Sequence, residues 1–229
     1  MVVPGEAAIP IPAELPFSHA ALLGCEVATG VGAALFEARL EPGMDVAVFG
    51  LGGVGLNVVQ GAALAQAGSI IAIDRLPAKL DLARRFGATA TVLADDRTVA
   101  RIVELTGGRG VDVSFEVVGQ PAVMTQALDA LAPGGAMVLV GAAARDAALS
   151  FVPRRFMSRQ QTILGSIYAA CRPVEHFPLF ARWALEGTLK VEDSISQRLY
   201  DLADINDAFD ALQTGEVLRS LLLFPDGAS

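Results

Sequence analysis

At 229 residues, 53% of them hydrophobic, the chain is long enough for one or two domains with a sizeable core. Its net charge of −8 argues against nucleic acid or an acidic membrane surface as partner, and every run of about 18 residues meets a Gly, Gln or charged interruption, which speaks against a membrane span. Met1-Val2-Val3-Pro4-Gly5-Glu6 lacks the basic region of a signal peptide, and two cysteines, Cys25 and Cys171, make neither a disulfide framework nor a four-cysteine zinc site, so a reducing cytoplasm is the expected setting.

Residues 1–16 are rich in proline and read as an irregular lead-in. His19 to Leu40 reads as helical, interrupted at Gly24 and again at Gly30 and Gly32. Strands and helices then alternate. Strands are expected at Val46–Phe49, Ile70–Ile73, Thr91–Leu93, Val111–Val118, Ala136–Val140 and Thr162–Ile167. The helices between them are expected near 54–66, 78–86, 98–105 and 122–131, with Pro133-Gly134-Gly135 as a turn. After Tyr168 the pattern changes to a helix over Glu175–Glu186 and a strand over Ile195–Tyr200. A helix over Asp204–Leu212, with Gly215 as terminator, and a short strand over Leu221–Phe224 complete it. Alternation of this kind predicts an α/β fold, a doubly wound parallel Rossmann sheet of about six strands with right-handed crossovers. The expected organisation is a junction segment over 1–40, a nucleotide-binding core over 41–170 and C-terminal helices with a returning strand over 171–229.

Within this frame, Asp45-Val46-Ala47-Val48-Phe49-Gly50-Leu51-Gly52-Gly53-Val54-Gly55 is a buried strand entering a glycine-rich turn and a helix. Asp74 ends the next strand, about 20 residues on. That context is the dinucleotide-binding fingerprint. Gly50 permits the tight turn, Gly52 lets the backbone approach a pyrophosphate, and Gly55 lets helix and strand pack closely. Free amides at the start of the helix face the phosphates. Asp74 is suited to accept hydrogen bonds from the adenosine ribose, and its charge repels a 2′-phosphate. NAD is therefore expected over NADP, with Arg75 partly offsetting that repulsion.

Several segments resemble the zinc-dependent medium-chain alcohol dehydrogenases, including the class that oxidises thiol adducts of formaldehyde. They are Leu23-Gly24-Cys25-Glu26-Val27-Ala28-Thr29-Gly30-Val31-Gly32, the glycine turn with Asp74 and Lys79, Phe115-Glu116-Val117-Val118-Gly119, Gly165-Ser166-Ile167-Tyr168, and Gly215-Glu216-Val217-Leu218-Arg219. The resemblance implies the cofactor-binding part of such an enzyme, with the catalytic domain that precedes it in the family expected to be missing here. It implies NAD as cofactor and Lys79 on the adenosine ribose, where the bland reading is a solvated helix lysine. Arg219 is implied on the pyrophosphate, against a surface arginine. Val118 is implied against the adenine or nicotinamide side, Val140, Gly141, Ala142, Ser166, Ile167 and Tyr168 around the nicotinamide, and Thr29 beside the nicotinamide.

Cys25 matches the family's last zinc ligand; taken alone, such a thiol is more often a small core residue. A catalytic zinc needs three protein ligands and an open position. His19, Cys171 and His176 complete no such pattern, so zinc is expected in an intact family member and not to be held tightly by this chain alone. The implied activity is hydride transfer between an alcohol or aldehyde and NAD, with a homodimer or a separately encoded catalytic domain as protein partner. The competing expectation is a non-catalytic dinucleotide-binding or oligomerising module. A zinc-free reductase of the same superfamily is disfavoured by the Gly24-Cys25 to Thr29-Gly30 segment.

Overall fold

The computed structural model describes residues 2–214 and 217–224. The chain divides into two compact units, one over Thr29–Cys171 and one joining Met1–Ala28 to Arg172–Ser229. Its helices are α1 (Phe17–Leu22), α2 (Ala28–Gly32), α3 (Gly53–Leu64), α4 (Pro77–Phe86), α5 (Thr98–Leu105), α6 (Pro121–Asp129), α7 (Pro153–Ser158), α8 (Pro173–Leu185) and α9 (Ile205–Thr214). Its strands are β1 (Asp45–Phe49), β2 (Ser69–Asp74), β3 (Ala90–Leu93), β4 (Val111–Glu116), β5 (Leu131–Leu139), β6 (Thr162–Gly165), β7 (Ile195–Asp201) and β8 (Arg219–Leu223). Gly215, expected to end α9, and Glu216 lie outside the described residues.

In the Thr29–Cys171 unit, six parallel strands lie in the order β3-β2-β1-β4-β5-β6. The chain winds outward from β1 to β3, then restarts at β4 on the other side of β1. This is the doubly wound Rossmann arrangement, and β1/β4 is its switch point. The inner strands are nearly continuous in apolar residues because helices cover both faces. Ala47, Phe49, Ile71, Ile73, Val92, Ile102, Leu131 and Met137 form one buried cluster. At the amino ends of β1 and β4, Arg109 bonds both Asp45 (2.9 Å) and Asp112 (2.5 Å), while Asp112 accepts the Asp45 amide at 2.8 Å. Helices α4, α6 and α7 begin with proline in the first turn, where the missing N–H costs nothing. Gly87 closes α4 at φ 114°.

Four departures from the sequence reading have local causes. The helical turns do not break at Gly24, Gly30 and Gly32; they continue from Phe17 to Glu37 by widening into π turns at Leu23–Val27 and Ala33–Glu37. Gly30 serves close packing, since a Cβ there would lie 2.4 Å from the Cβ of Asn57 and from the carbonyl of Val54. By length and composition this run could cross a membrane, but 56% of its apolar window is buried inside the protein. Strand β4 stops at Glu116 instead of Val118. Pro133-Gly134-Gly135 lies within β5, where a register shift against β4 absorbs the extra residues. Helix α7 was not expected at all; Pro153 after an extended Val152 was its only start signal.

In the other unit, β7 and β8 form a two-stranded parallel sheet, and α9 provides the crossover between them. Phe180 of α8 is fully buried, with its ring 6.1 Å from that of Trp183. Glu26, only 2% exposed, forms an ion pair with Arg219 across 193 positions of sequence.

Candidate functional site

The sequence-predicted residues of the sheet unit gather at the carboxyl ends of its strands, the edge where open α/β sheets bind ligands. Gly50 leaves β1 at φ 92°, its N–H donating to the Ile73 carbonyl at 2.9 Å. That backbone angle strains any larger residue there, and its Cβ would lie 2.6 Å from Val118 Cγ2. Gly55 is packed harder still: a Cβ would lie 1.9 Å from the Gly50 carbonyl oxygen. Gly52 is the opposite case, exposed, with nothing within 4 Å of a Cβ position. It is the N-cap of α3 and brings no side-chain cap, so the helix presents its first backbone amides, those of Gly53, Val54 and Gly55, without a side-chain acceptor.

Asp74, at the end of β2, holds this turn from the side. Its Oδ2 accepts the Leu51 amide at 2.8 Å and its Oδ1 accepts the Leu76 amide at 3.0 Å. Each carboxylate oxygen has a second acceptor position, so these bonds leave capacity for ribose hydroxyls. Lys79 lies half-buried in the first turn of α4.

Across the switch point, Glu116 ends β4. It is fully buried, and its Oε1 accepts the amides of Val118 (2.9 Å) and Gly119 (2.8 Å). Its backbone carbonyl accepts the amides of Val140 and Gly141, both at 2.9 Å. Burial pushes its carboxyl above the ordinary carboxylate range, against the lowering effect of the amides of Gly119, Val118 and Gln120. This explains why β4 ends early: the next amides turn to a side chain. Val118 is consequently 41% exposed instead of packed in the core. Ala142 is exposed beyond β5, and the Ser166 amide donates to the Leu139 carbonyl at 2.9 Å. Ile167 is 94% exposed. Tyr168 begins a tight left-handed turn, with Tyr168, Ala169 and Ala170 all at positive φ. Thr29 is half-buried on α2, beside the Gly30 contact with α3.

Cys25 and Arg219 belong to the other unit. Cys25 is exposed in the Leu23–Val27 π turn, so the core-thiol reading does not describe it; its charged neighbour Glu26 is the buried one. Arg219 is committed to Glu26 through its Nε. Among the described residues, no three His, Cys, Asp or Glu side chains converge in a way that could hold a metal. His176 is occupied as an acceptor, its Nδ1 taking the Arg172 amide at 3.0 Å, and burial pushes the Cys171 thiol up. The residues described here therefore do not fit a zinc ion. For a dinucleotide they do fit: an open glycine at an uncapped helix start, with an acid beside it, is the donor set a diphosphate and its ribose require.

Sequence reading missed the roles of Glu116 and Glu26. An acid at the end of a strand, as Asp74 is at the end of β2, was the available signal for Glu116. For Glu26, the partner lies too far along the chain for spacing to reveal it.

Comparison with known proteins gives a consistent picture. A profile of the family described as zinc-binding dehydrogenase matches residues 53–186. An S-(hydroxymethyl)glutathione dehydrogenase of Synechocystis sp. is 38% identical over 213 residues, covering 91% of this chain and 57% of that protein. One from Escherichia coli O157:H7 is 37% identical over 214 residues, covering 92% and 58%. Among solved structures, an alcohol dehydrogenase zinc-binding domain protein from Burkholderia ambifaria superposes with TM-score 0.90 at 34% identity, over 95% of this chain and 58% of that one. Benzyl alcohol dehydrogenase from Acinetobacter calcoaceticus superposes with TM-score 0.88 at 28% identity, over 93% and 59%. The chain thus spans less than two thirds of the length of the relatives it matches.

Proposed function

The chain belongs to the zinc-binding dehydrogenase family, and on that premise we propose that its sheet unit binds NAD(H) as the coenzyme-binding part of an alcohol dehydrogenase. The observation that carries this reading is the Gly50–Gly55 turn, with open space over Gly52, uncapped amides behind it and Asp74 braced against Leu51. In this reading the amides of the turn hold the pyrophosphate, and Asp74 and Lys79 take the adenosine ribose. Val118, Val140–Ala142 and Ser166–Tyr168 flank the nicotinamide, with Thr29 beside it. When bound, the nicotinamide supplies a hydride acceptor for an alcohol or a thiol–formaldehyde adduct. This chain's own contribution is to bind and orient the coenzyme.

The described residues do not converge on a metal. That same observation favours a second reading, a dinucleotide-binding module without turnover of its own. Its partners would be a separately encoded catalytic domain or a second copy, the latter along the open edge of β6. Two free cysteines suit a reducing, cytoplasmic setting.

Fluorescence titration with NADH and NADPH tests the coenzyme assignment. NADH is expected to bind and to be preferred. Asp74→Ala is expected to cut that preference by roughly tenfold, because the carboxylate no longer repels a 2′-phosphate. No NADH binding by the wild type, or unchanged discrimination in the variant, overturns the assignment. Alcohol-dependent NADH formation and zinc content, measured on the same protein, separate the enzyme from the module.

A further inference from the structure

Glu116 sits where a buried charge is expensive. It is fully buried at the end of β4, in register with Phe49 of β1 and Leu139 of β5, and among the described residues no cation bonds it. Among the described residues its Oε2 has no hydrogen-bond partner. Burying a carboxyl group costs free energy unless hydrogen bonds compensate, and here the compensation comes only from backbone amides of the segment that follows β4. A side chain serving only to fill this place would be apolar.

What the acid provides is a fixed backbone path. Gly119, at φ 83°, lies flat against the segment after β5, where a Cβ would be 2.4 Å from the Ala142 carbonyl oxygen. A Cβ on Gly141 would be 2.2 Å from the Gly119 nitrogen. Residues 118–119 and 141–142 are therefore in direct backbone contact. Glu116 holds the first pair of strand-end amides with its side chain and the second with its main chain. Val118, carried by the first, packs directly over the Cβ-less face of Gly50. One buried carboxyl thus sets the geometry on both sides of the switch point.

We propose that Glu116 is a positioning residue for the coenzyme: it acts through the backbone of Val118 and Gly119 to form the crevice wall opposite the Gly50–Gly55 turn. This rests on the NAD(H) reading above. The requirement is reach and acceptor geometry, not negative charge. Glu116→Gln keeps an acceptor at the same distance without the charge. Glu116→Asp keeps the charge but is one methylene too short to serve both amides.

The test compares wild type, Glu116→Gln and Glu116→Asp. NADH affinity is measured by fluorescence titration, amide hydrogen exchange at residues 118–119 by mass spectrometry, and folding by circular dichroism. Glu116→Gln is expected to bind NADH within about threefold of wild type and Glu116→Asp roughly tenfold or more weakly, with faster exchange at 118–119 in Glu116→Asp alone. Should Glu116→Asp melt too low to assay, Val118→Ala, which trims the wall without touching the acid, is expected to weaken NADH by about threefold. Equal NADH affinity in all variants overturns the proposal. So does weakening in Glu116→Gln with none in Glu116→Asp, which would assign the effect to charge. A wild type that does not bind NADH overturns the coenzyme reading itself, and this proposal with it.

Discussion

In the sheet unit, acids at the carboxyl ends of strands bond backbone amides: Asp74 holds Leu51 and Leu76, and Glu116 holds Val118 and Gly119. In the unit formed from the chain's two outer segments, acids bond arginines instead: Glu26 with Arg219, Glu175 with Arg172 and Asp207 with Arg198. The two uses have different consequences. A carboxylate bonded to amides fixes the path of the main chain over a few residues, which a ligand crevice needs. Of the arginine pairs, Glu26 with Arg219, 193 positions apart, ties the unit's two chain segments together, while the other two pairs are local.

The strongest way to break the sheet unit is at Gly55. Gly55→Ala would press a methyl group against the Gly50 carbonyl at 1.9 Å, and backbone cannot yield as a flexible side chain would. A loss of about 3 kcal/mol is expected, at the upper end of ordinary overpacking, together with loss of NADH binding. Thermal unfolding followed by circular dichroism checks it; a melting temperature equal to wild type would show that the turn relaxes freely.

The second unit has its own reporter, because Trp183 is the single tryptophan of the chain and lies in α8. Arg219→Met strands Glu26, which is 2% exposed, without its cation. Glu26→Leu strands an arginine whose side chain is 36% exposed and can turn to water. The expected order is therefore about 2 kcal/mol for Arg219→Met and about half that for Glu26→Leu, below the full cost of a broken buried pair because one partner is partly solvated. Denaturant titration of Trp183 emission measures both. The reverse order would mean that Glu26 is held mainly by other groups.

The smallest effect comes from pH. His176 Nδ1 accepts the Arg172 amide at the start of α8, which requires a neutral ring. Burial, then the Arg172 charge, lowers its pKa from the usual value of 6.5. A lowered folded-state pKa means that this stabilisation is present above about pH 6.5, the unfolded value, and is lost as pH falls through the lower folded one. A loss of about 1 kcal/mol in the Trp183 transition is expected on acidification through that range. The His176 ring, followed by NMR, is expected to titrate below 6.5; a midpoint above it would refute the assignment.

The local parts of the site were legible in the sequence. Gly50, Gly52 and Gly55 fall within one turn and its helix, and Asp74 closes a strand whose apolar run is unmistakable, so spacing alone singled them out as candidates. The doubly wound parallel sheet also followed from alternation, because right-handed crossovers leave few alternatives. Legibility failed where the deciding contact was remote. Gly30 looked like a helix breaker because its partner, the first turns of α3, lies across the fold. Glu26 is buried and its neighbour Cys25 exposed, and the partner of Glu26, Arg219, lies near the other end of the chain.

Periodicity, glycine spacing and proline punctuation are properties of neighbours in the chain, and they determined the alternating elements, the doubly wound sheet and the turn at its switch point. Which buried acid would bond amides and which an arginine, where β4 would let go of the sheet, and that no metal-holding group forms among the described residues were decided by tertiary structure. The physical reason is that a polar group's partner is chosen by distance in space, and a buried one must find that partner wherever the fold brings it.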